Sequence, residues 1–310
     1  LVKKLLKTGN RSPFSIVRAF LKRLSSLFKA SSENTNLMVI YTELFPYFPP
    51  LMEWLIKLKG IRFVLDYDDA IFHQYDQNKS KFVKWFLGKK INRIMRNAEI
   101  VISGNQYIAD YALNAGAKRV EIIPTVIDLD HYPMKLDKKS EIFTIVWIGS
   151  PYTTQYLKAI EPALEKACKE GKAKVRLIGA GPIDLPNVPF ETFPWTEKTE
   201  VSLIQECHVG IMPLTDSPWE RGKCGFKLIQ YMGCSLPVIA SPVGVNSEIV
   251  DEGVNGYLAT SNEEWTEKFA LLQNDPAILT TLGASGRNKV EQKYSLQAWQ
   301  SRYVDLLKSV

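Results

Sequence analysis

The sequence predicts an α/β protein built from two Rossmann-like domains in series, facing each other across a cleft. Three observations predict it. Short apolar runs alternate with helical stretches along most of the chain, the pattern of parallel sheets covered by helices on both faces. A polar, charged stretch at 126–141, VIDLDHYPMKLDKKSE, interrupts the alternation once, and the pattern then restarts. At 310 residues, with 45% hydrophobic and 23% charged residues, the chain is long enough to bury two cores.

The first 32 residues carry Lys3, Lys4, Lys7, Arg11, Arg18, Lys22, Arg23 and Lys29 with no acid among them, which more than accounts for the net charge of +6. Phe14, Ile16, Val17, Phe20, Leu21, Leu24, Leu27 and Phe28 recur there at helical spacing, predicting a basic amphipathic helix. Two readings of it stand side by side. Residues 1–30 lie on an anionic membrane surface, or the helix turns its apolar face to the core and its basic side to water. No nucleic-acid motif accompanies the charge, so nucleic acid is not expected as a partner.

Strands are expected at 36–43, 62–69, 99–104 and 120–125, with helices over 79–97 and 105–115. After the break come FTIVWIGS (143–150), a helix over 154–169, KVRLIGAGP (174–182), VPFETF (188–193), a helix over 197–206 and HVGIMPL (208–214). A helix beginning near Gly225, then LPVIAS and GYLAT (256–260), completes the second domain. The boundaries drawn are a first domain over 1–130, a linker over 131–142, a second domain over 143–292 and a terminal helix over 293–310.

Cys168, Cys207, Cys224 and Cys234 are scattered without C-x-x-C spacing and read as reduced thiols of an intracellular protein. No apolar run reaches the roughly 18 residues needed to cross a bilayer, and no secretory signal is visible behind Leu1. The expected location is therefore the cytoplasm, peripheral to the inner face of the cell membrane if the basic helix docks there.

Open parallel sheets bind ligands where strands run into loops. The loops singled out are DYDDAIFH, with Asp66, Asp68, Asp69 and His73; WIGSP, with Gly149 and Ser150; IGAGP, with Gly179 and Gly181; FPW, with Trp195; the GKCGFK turn; and SPVGVN, with Gly244 and Asn246. In GKCGFK, Lys223 and Lys227 flank the mouth of a helix that begins near Gly225 and whose first amides have no intrahelical partner. Such a mouth suits a phosphate or diphosphate. Gln230, one turn on from Lys227, is positioned to bond a sugar hydroxyl. The plainer reading is two solvated lysines beside a helix start. Likewise Asp68 and Asp69 either act on a substrate or cap the next helix. The DYDD spacing matches no defined metal site, so no metal is expected.

WIGSP, IGAGP, IMPL, GKCGFKLIQYMGCSLPVIASPVGVN and EIVDEGVNGYLA together resemble the nucleotide-binding domain of family 4 glycosyltransferases, which have the GT-B fold. IIPTVIDLDHYP is similar to the strand that leads into that family's linker, so the resemblance spans most of 62–310. It implies retaining, metal-independent transfer of a sugar from a nucleotide diphosphate sugar, with no cofactor. The acceptor it implies is a glycan or a lipid-linked group in surface polysaccharide or glycolipid synthesis. By this resemblance Lys223, Lys227, Asp68 and Asp69 are the catalytic candidates, and Gly149, Ser150, Gly181, Trp195, Gly225, Phe226 and Gln230 bind the donor. The terminal helix would cross back onto the first domain.

Two departures stand out. Where the family commonly carries glutamates eight positions apart, this chain has Gly222 and Gln230, with Glu220 nearby but out of register. No strand and glycine-rich loop precede the basic helix, so a truncated first domain is expected. These departures keep two alternatives open: a non-catalytic subunit that binds sugar nucleotides, and a nucleotide-sugar epimerase of the same architecture.

Overall fold

Among the described residues, runs rich in Val, Ile, Leu and Phe form ten strands, all paired in parallel, in two sheets. The computed structural model describes residues 13–30, 34–134 and 140–310. Expectations that rest on residues 1–12, on 31–33 and on the linker residues 135–139 lie outside the described residues.

The first sheet sets β1 (Leu37–Tyr41), β2 (Arg62–Tyr67), β3 (Ile100–Ser103) and β4 (Val120–Ile122) side by side in chain order, with Val39 opposite Val64 and Val64 opposite Ile100. The central strands are apolar on both sides, as a sheet covered on both faces requires. One face packs Phe63, Leu65 and Val101 against Ile56, Ile91, Ile94 and Ile108 of the connecting helices. On the other, Val64, Ile100 and Ile102 pack against Leu306 of the helix Leu296–Lys308.

The stretch expected as one helix over 79–97 is two, Lys81–Leu87 and Lys90–Asn97. Gly88 separates them; a Cβ there would lie 2.2 Å from the Lys84 carbonyl oxygen. Lys90 opens the second helix and is buried, 1% exposed. Its Nζ donates to the Glu43 carboxylate and to the Phe45 carbonyl (2.7 Å), while Tyr75 donates its hydroxyl to the same carboxylate (2.7 Å). This buried polar knot ties the segment after β1 to two helices.

The second sheet contains β5 (Phe143–Ile148), β6 (Ala173–Ile178), β7 (Phe190–Phe193), β8 (Val209–Met212), β9 (Val238–Ala240) and β10 (Gly256–Leu258). Their spatial order is β10-β9-β8-β5-β6-β7. Counted from β5, this is the 3-2-1-4-5-6 order of a doubly wound Rossmann sheet. Alternate residues of β5 feed two cores: Val146 and Ile148 on one face, Ile145 and Trp147 on the other. The helix expected over 154–169 is again two, Tyr156–Ala159 and Glu161–Cys168. Pro162, with no N–H to give the preceding turn, stands in the first turn of the second.

The chain divides into two units at positions other than those expected. The first comprises Leu1–Thr125, Ser217–Cys224 and Ser301–Val310, and the second Val126–Asp216 and Gly225–Gln300. The stretch taken for a linker on its polar composition begins as part of the second unit: Ile127 N–H donates to Tyr294 O (3.0 Å), and Ile127 and Tyr132 are core residues there. Polarity misled because the two apolar side chains that anchor the stretch are few among many charges. The four cysteines are free thiols, all buried.

Candidate functional site

In the second unit the strand order reverses between β5 and β8, and ligands of such sheets bind outside the carboxyl ends at that switch point. The helix Phe226–Gly233 lies over β8, where Gly210 makes room: a Cβ on it would sit 2.2 Å from the Tyr231 ring. Ile148 N–H donates to Tyr231 OH (2.8 Å), which fixes the helix to the end of β5. Gly225 starts this helix in the left-handed conformation, φ 67°, and no side chain caps its amides. Lys227, in the first turn, reaches the other face of the sheet edge, where its Nζ lies 4.6 Å from the centre of the buried Trp147 ring. A cation over an indole face is held electrostatically, so the ammonium is fixed at the carboxyl end of β5.

Gly149 and Gly181 are there for shape. A Cβ on Gly149 would fall 2.5 Å from the Trp147 ring, and one on Gly181 would fall 2.7 Å from Pro151 Cβ. The bare turns of 149 and 179 also touch: a Cβ on Gly179 would lie 2.4 Å from Gly149 O and 3.0 Å from Trp195 Cβ. The structure thus brings Lys227, Gly149, Gly181 and Trp195 to neighbouring loops of one sheet edge. The backbone N–H groups of Gly149, Ser150 and Gly181 are all taken within the fold. Gly149 N–H donates to Ile178 O (2.9 Å), Ser150 N–H to Thr153 Oγ1 (3.1 Å) and Gly181 N–H to Thr154 Oγ1 (3.4 Å).

Gln230 also departs from expectation. It is 3% exposed, and its Nε2 donates to Tyr132 OH (2.8 Å) rather than standing open for a sugar. Tyr132 and Trp195 both donate to Glu200, and Gln230 donates to Tyr132, so Trp195, Glu200, Tyr132 and Gln230 form one polar row. Sequence reasoning missed Tyr132 and Glu200, since nothing in their neighbourhood marks them. Phe226, by contrast, is exposed at the head of the helix, and Asn246 is buried with its Nδ2 donating to Ser241 O (3.0 Å).

Burial holds the Glu200 carboxyl above its ordinary value against hydrogen bonds that pull the other way. The native state therefore binds this proton more tightly than the unfolded chain, and the group's contribution falls as pH rises above the unfolded value of about 4.3. Glu200→Gln keeps an acceptor for Trp195 and removes the ionisation. It is expected to flatten the decline of melting temperature above pH 4 to 5, without lowering it at pH 7; a lower melting temperature with an unchanged pH slope would contradict the assignment.

In the first unit, Ser217–Cys224 packs against the ends of β2 and β3. Asn105 caps the helix Gln106–Asn114 with its Oδ1, and its Nδ2 donates to Gly222 O (3.0 Å) and Lys223 O (3.1 Å). A Cβ on Gly222 would lie 2.2 Å from Ala70 Cβ, in the DYDDA loop. That explains the first departure from the family pattern: position 222 is filled by the neighbouring loop, with no room for a glutamate side chain. Glu220, the nearby acid, is buried and accepts from Ser217 Oγ.

Asp68 and Asp69 lie close enough to Cys224 to act electrostatically on its thiol, which burial pushes up to about 12. Asp68, Asp69 and the backbone of Lys223 are thus gathered in one place. Asp68 accepts from Tyr41 OH, and Asp66 from Tyr303 OH (3.3 Å), with burial and Asp68 raising the Asp66 carboxyl. His73, at the end of the same loop, is turned inward, with Nδ1 2.8 Å from Asp76 Oδ1 and Nε2 2.8 Å from Tyr107 OH. Of the four catalytic candidates, Asp68, Asp69 and Lys223 belong to the first unit and Lys227 to the second. Among the described residues, no group of three or more His, Cys, Asp or Glu is placed to hold a metal ion, and no helix is long and apolar enough to cross a membrane.

Residues 142–275 match the family model described as glycosyl transferases group 1. These residues lie in the second unit, apart from Ser217–Cys224. The chain is similar to sucrose synthase of Beta vulgaris, 31% identical over 87 residues, covering 26% of this chain and 11% of that protein. The chain is also similar to the human alpha-1,3/1,6-mannosyltransferase ALG2, 30% identical over 130 residues, which is 36% of this chain and 27% of that protein. The matched parts thus span about a tenth to a quarter of these relatives. Among solved structures, Anabaena HepE in complex with UDP superposes with a TM-score of 0.69 at 16% identity, covering 94% of this chain and 82% of that one. The fold is GT-B, with two Rossmann-like units, and the residues that match the family model fall in the half whose motifs carry the family 4 resemblance.

Proposed function

We propose that this chain transfers a sugar from a nucleotide diphosphate sugar to a glycan or lipid-linked acceptor, with retention of configuration and without a metal. The observation that carries the reading is Lys227, seated over Trp147 in the first turn of a helix that no side chain caps. As the bond from the anomeric carbon to the diphosphate breaks, negative charge grows on the leaving oxygen. Lys227 and the helix dipole are prepositioned to stabilise it, and no proton need move at that step. The leaving phosphate oxygen accepts the proton of the acceptor hydroxyl as the new glycosidic bond forms, so no nucleophilic carboxylate is required.

Gly149, Ser150, Gly181, Trp195, Gly225 and Phe226 shape the donor pocket by close approach, while Gln230 acts at one remove, holding the row that runs to Trp195. On the first unit, Asp68 or Asp69 orients the acceptor hydroxyl, whose proton goes to the leaving phosphate, and Lys223 adds positive charge. The UDP in the HepE complex supports a nucleotide as ligand for this fold. A surface polysaccharide or glycolipid made at the cytoplasmic face of a membrane fits the basic helix Pro13–Lys29.

The test is release of nucleoside diphosphate from UDP-, GDP- and ADP-sugars, with and without a polyprenyl-diphosphate-linked sugar as acceptor, and NMR of the product anomer. Acceptor-dependent release with the donor's configuration kept is the expected result. The filled position at Gly222 and the buried Gln230 favour one second reading, a non-catalytic sugar-nucleotide binder. Binding without release in this assay would establish it, and conversion of the donor without acceptor would point to an epimerase.

A further inference from the structure

In the first unit, three helices each turn an apolar stripe to solvent. On Pro13–Lys29, Phe20 packs edge-on to Phe45, and Leu24 and Leu27 face inward, yet Phe14, Val17, Leu21 and Phe28 at i, i+3, i+7 and i+14 stay exposed. On Leu51–Leu58 the exposed stripe is Leu51, Trp54 and Leu58, with Trp54 58% exposed. On Lys81–Leu87 it is Phe82, Trp85 and Phe86, whose rings pack on one another with centroids 5.9 to 6.4 Å apart while Trp85 is 81% exposed. Apolar side chains scattered singly mean little, but stripes on adjoining helices are what an interaction surface looks like.

These helices adjoin. Lys59 Nζ donates to Leu27 O (2.9 Å) and Ala30 O (2.9 Å), joining the end of Leu51–Leu58 to the first helix. Lys57 Nζ donates to Asn97 Oδ1 (3.0 Å), and Leu51 and Trp54 share a groove with Arg93 and Ile94, joining it to Lys90–Asn97, which follows Lys81–Leu87 directly.

The charge on this face has one sign. Arg18, Lys22, Lys57, Lys81, Lys84 and Arg93 are exposed around the stripes. Across the four helices the only acid is Glu53, which is 4% exposed, and burial raises its carboxyl towards the neutral form. A face of uniform positive charge repels a second copy of itself and complements an anionic bilayer.

We propose that the helices Pro13–Lys29, Leu51–Leu58 and Lys81–Leu87 form one docking surface for anionic lipid, with Trp54, Phe82, Trp85 and Phe86 entering the headgroup region and the lysines and arginines meeting the phosphates. Indole rings favour that interface, and long basic side chains keep their charge at the headgroups while their stems lie along apolar surface. The surface reaches well beyond the basic helix that the sequence marks, and it does not depend on the donor chemistry.

The experiment is sedimentation of the full chain with vesicles of phosphatidylglycerol and phosphatidylcholine, and with phosphatidylcholine alone, in the absence of any nucleotide. Binding is expected to the anionic vesicles only and to fade with salt. The triple variant Phe82→Ser, Trp85→Ser, Phe86→Ser, and separately Trp54→Ser, changes only exposed residues and is expected to lower the partition coefficient at least tenfold. Brominated lipid is expected to quench part of the tryptophan emission, a part lost in Trp54→Phe, Trp85→Phe. Equal binding to neutral vesicles, unchanged partition in both variants, or self-association that the same variants abolish would each overturn the proposal, the last assigning the face to a second copy.

Discussion

Lys227→Ala is expected to weaken nucleoside diphosphate binding by roughly 1.5 to 3 kcal/mol, the range for hydrogen bonds to charged groups, which is roughly ten- to a hundredfold in affinity. The helix Phe226–Gly233 is held by other residues, Tyr231 against Gly210 and Ile148, and Leu228 and Ile229 in the core, so the loss should appear in binding with little change in stability. Lys227→Arg keeps a cation over Trp147 and should recover part of the affinity. Isothermal calorimetry on the folded variants reads both. Unchanged affinity in the alanine variant would remove Lys227 from the site.

Lys90→Ala is expected to cost about 3 to 5 kcal/mol of stability, because it leaves the Glu43 carboxylate buried without its cation. The ammonium also lies 5.0 Å from the centre of the Tyr75 ring, so the same change removes a cation–π contact. Replacing both ends, as Lys90→Met with Glu43→Leu, should recover most of that loss, since a well-packed apolar pair avoids the desolvation that the ion pair must offset. Urea denaturation of the two single variants and the double variant gives the coupling. Additive losses would mean that the two residues stabilise the fold independently, which their geometry contradicts.

The inner strands are legible as apolar runs, because in a doubly covered parallel sheet they are buried on both faces, whereas the partly exposed β1, β4 and β7 are legible from their place in the alternation of strands and helices. Helix ends are less so. Gly88 and Pro162 break helices that periodicity alone would run through, and their effect depends on contacts with the preceding turn. The glycine turns and Lys227 are legible for a related reason: close approach and a bare helix mouth each demand particular residue types locally.

What the sequence hides is pairing at long range. Lys90 reads as one more surface lysine, but it is buried against Glu43, 47 positions away. Gln230 reads as a helix residue turned to a ligand, but Tyr132, 98 positions away, takes its amide. Gly222 reads as a lost glutamate, but Ala70 fills the space. Nor does anything in Ser217–Cys224 announce that it joins the first unit, since Asn105, which holds its backbone, lies more than a hundred positions earlier.

The central claim is that the second unit binds a nucleotide diphosphate at Lys227. The most direct test is a thermal-shift panel of UDP, GDP, ADP and their common sugar conjugates, without added metal. One nucleotide is predicted to raise the melting temperature as ln(1 + [L]/Kd) with rising concentration, and to lose that effect in Lys227→Ala. No shift with any of them, in a folded protein, would contradict the claim.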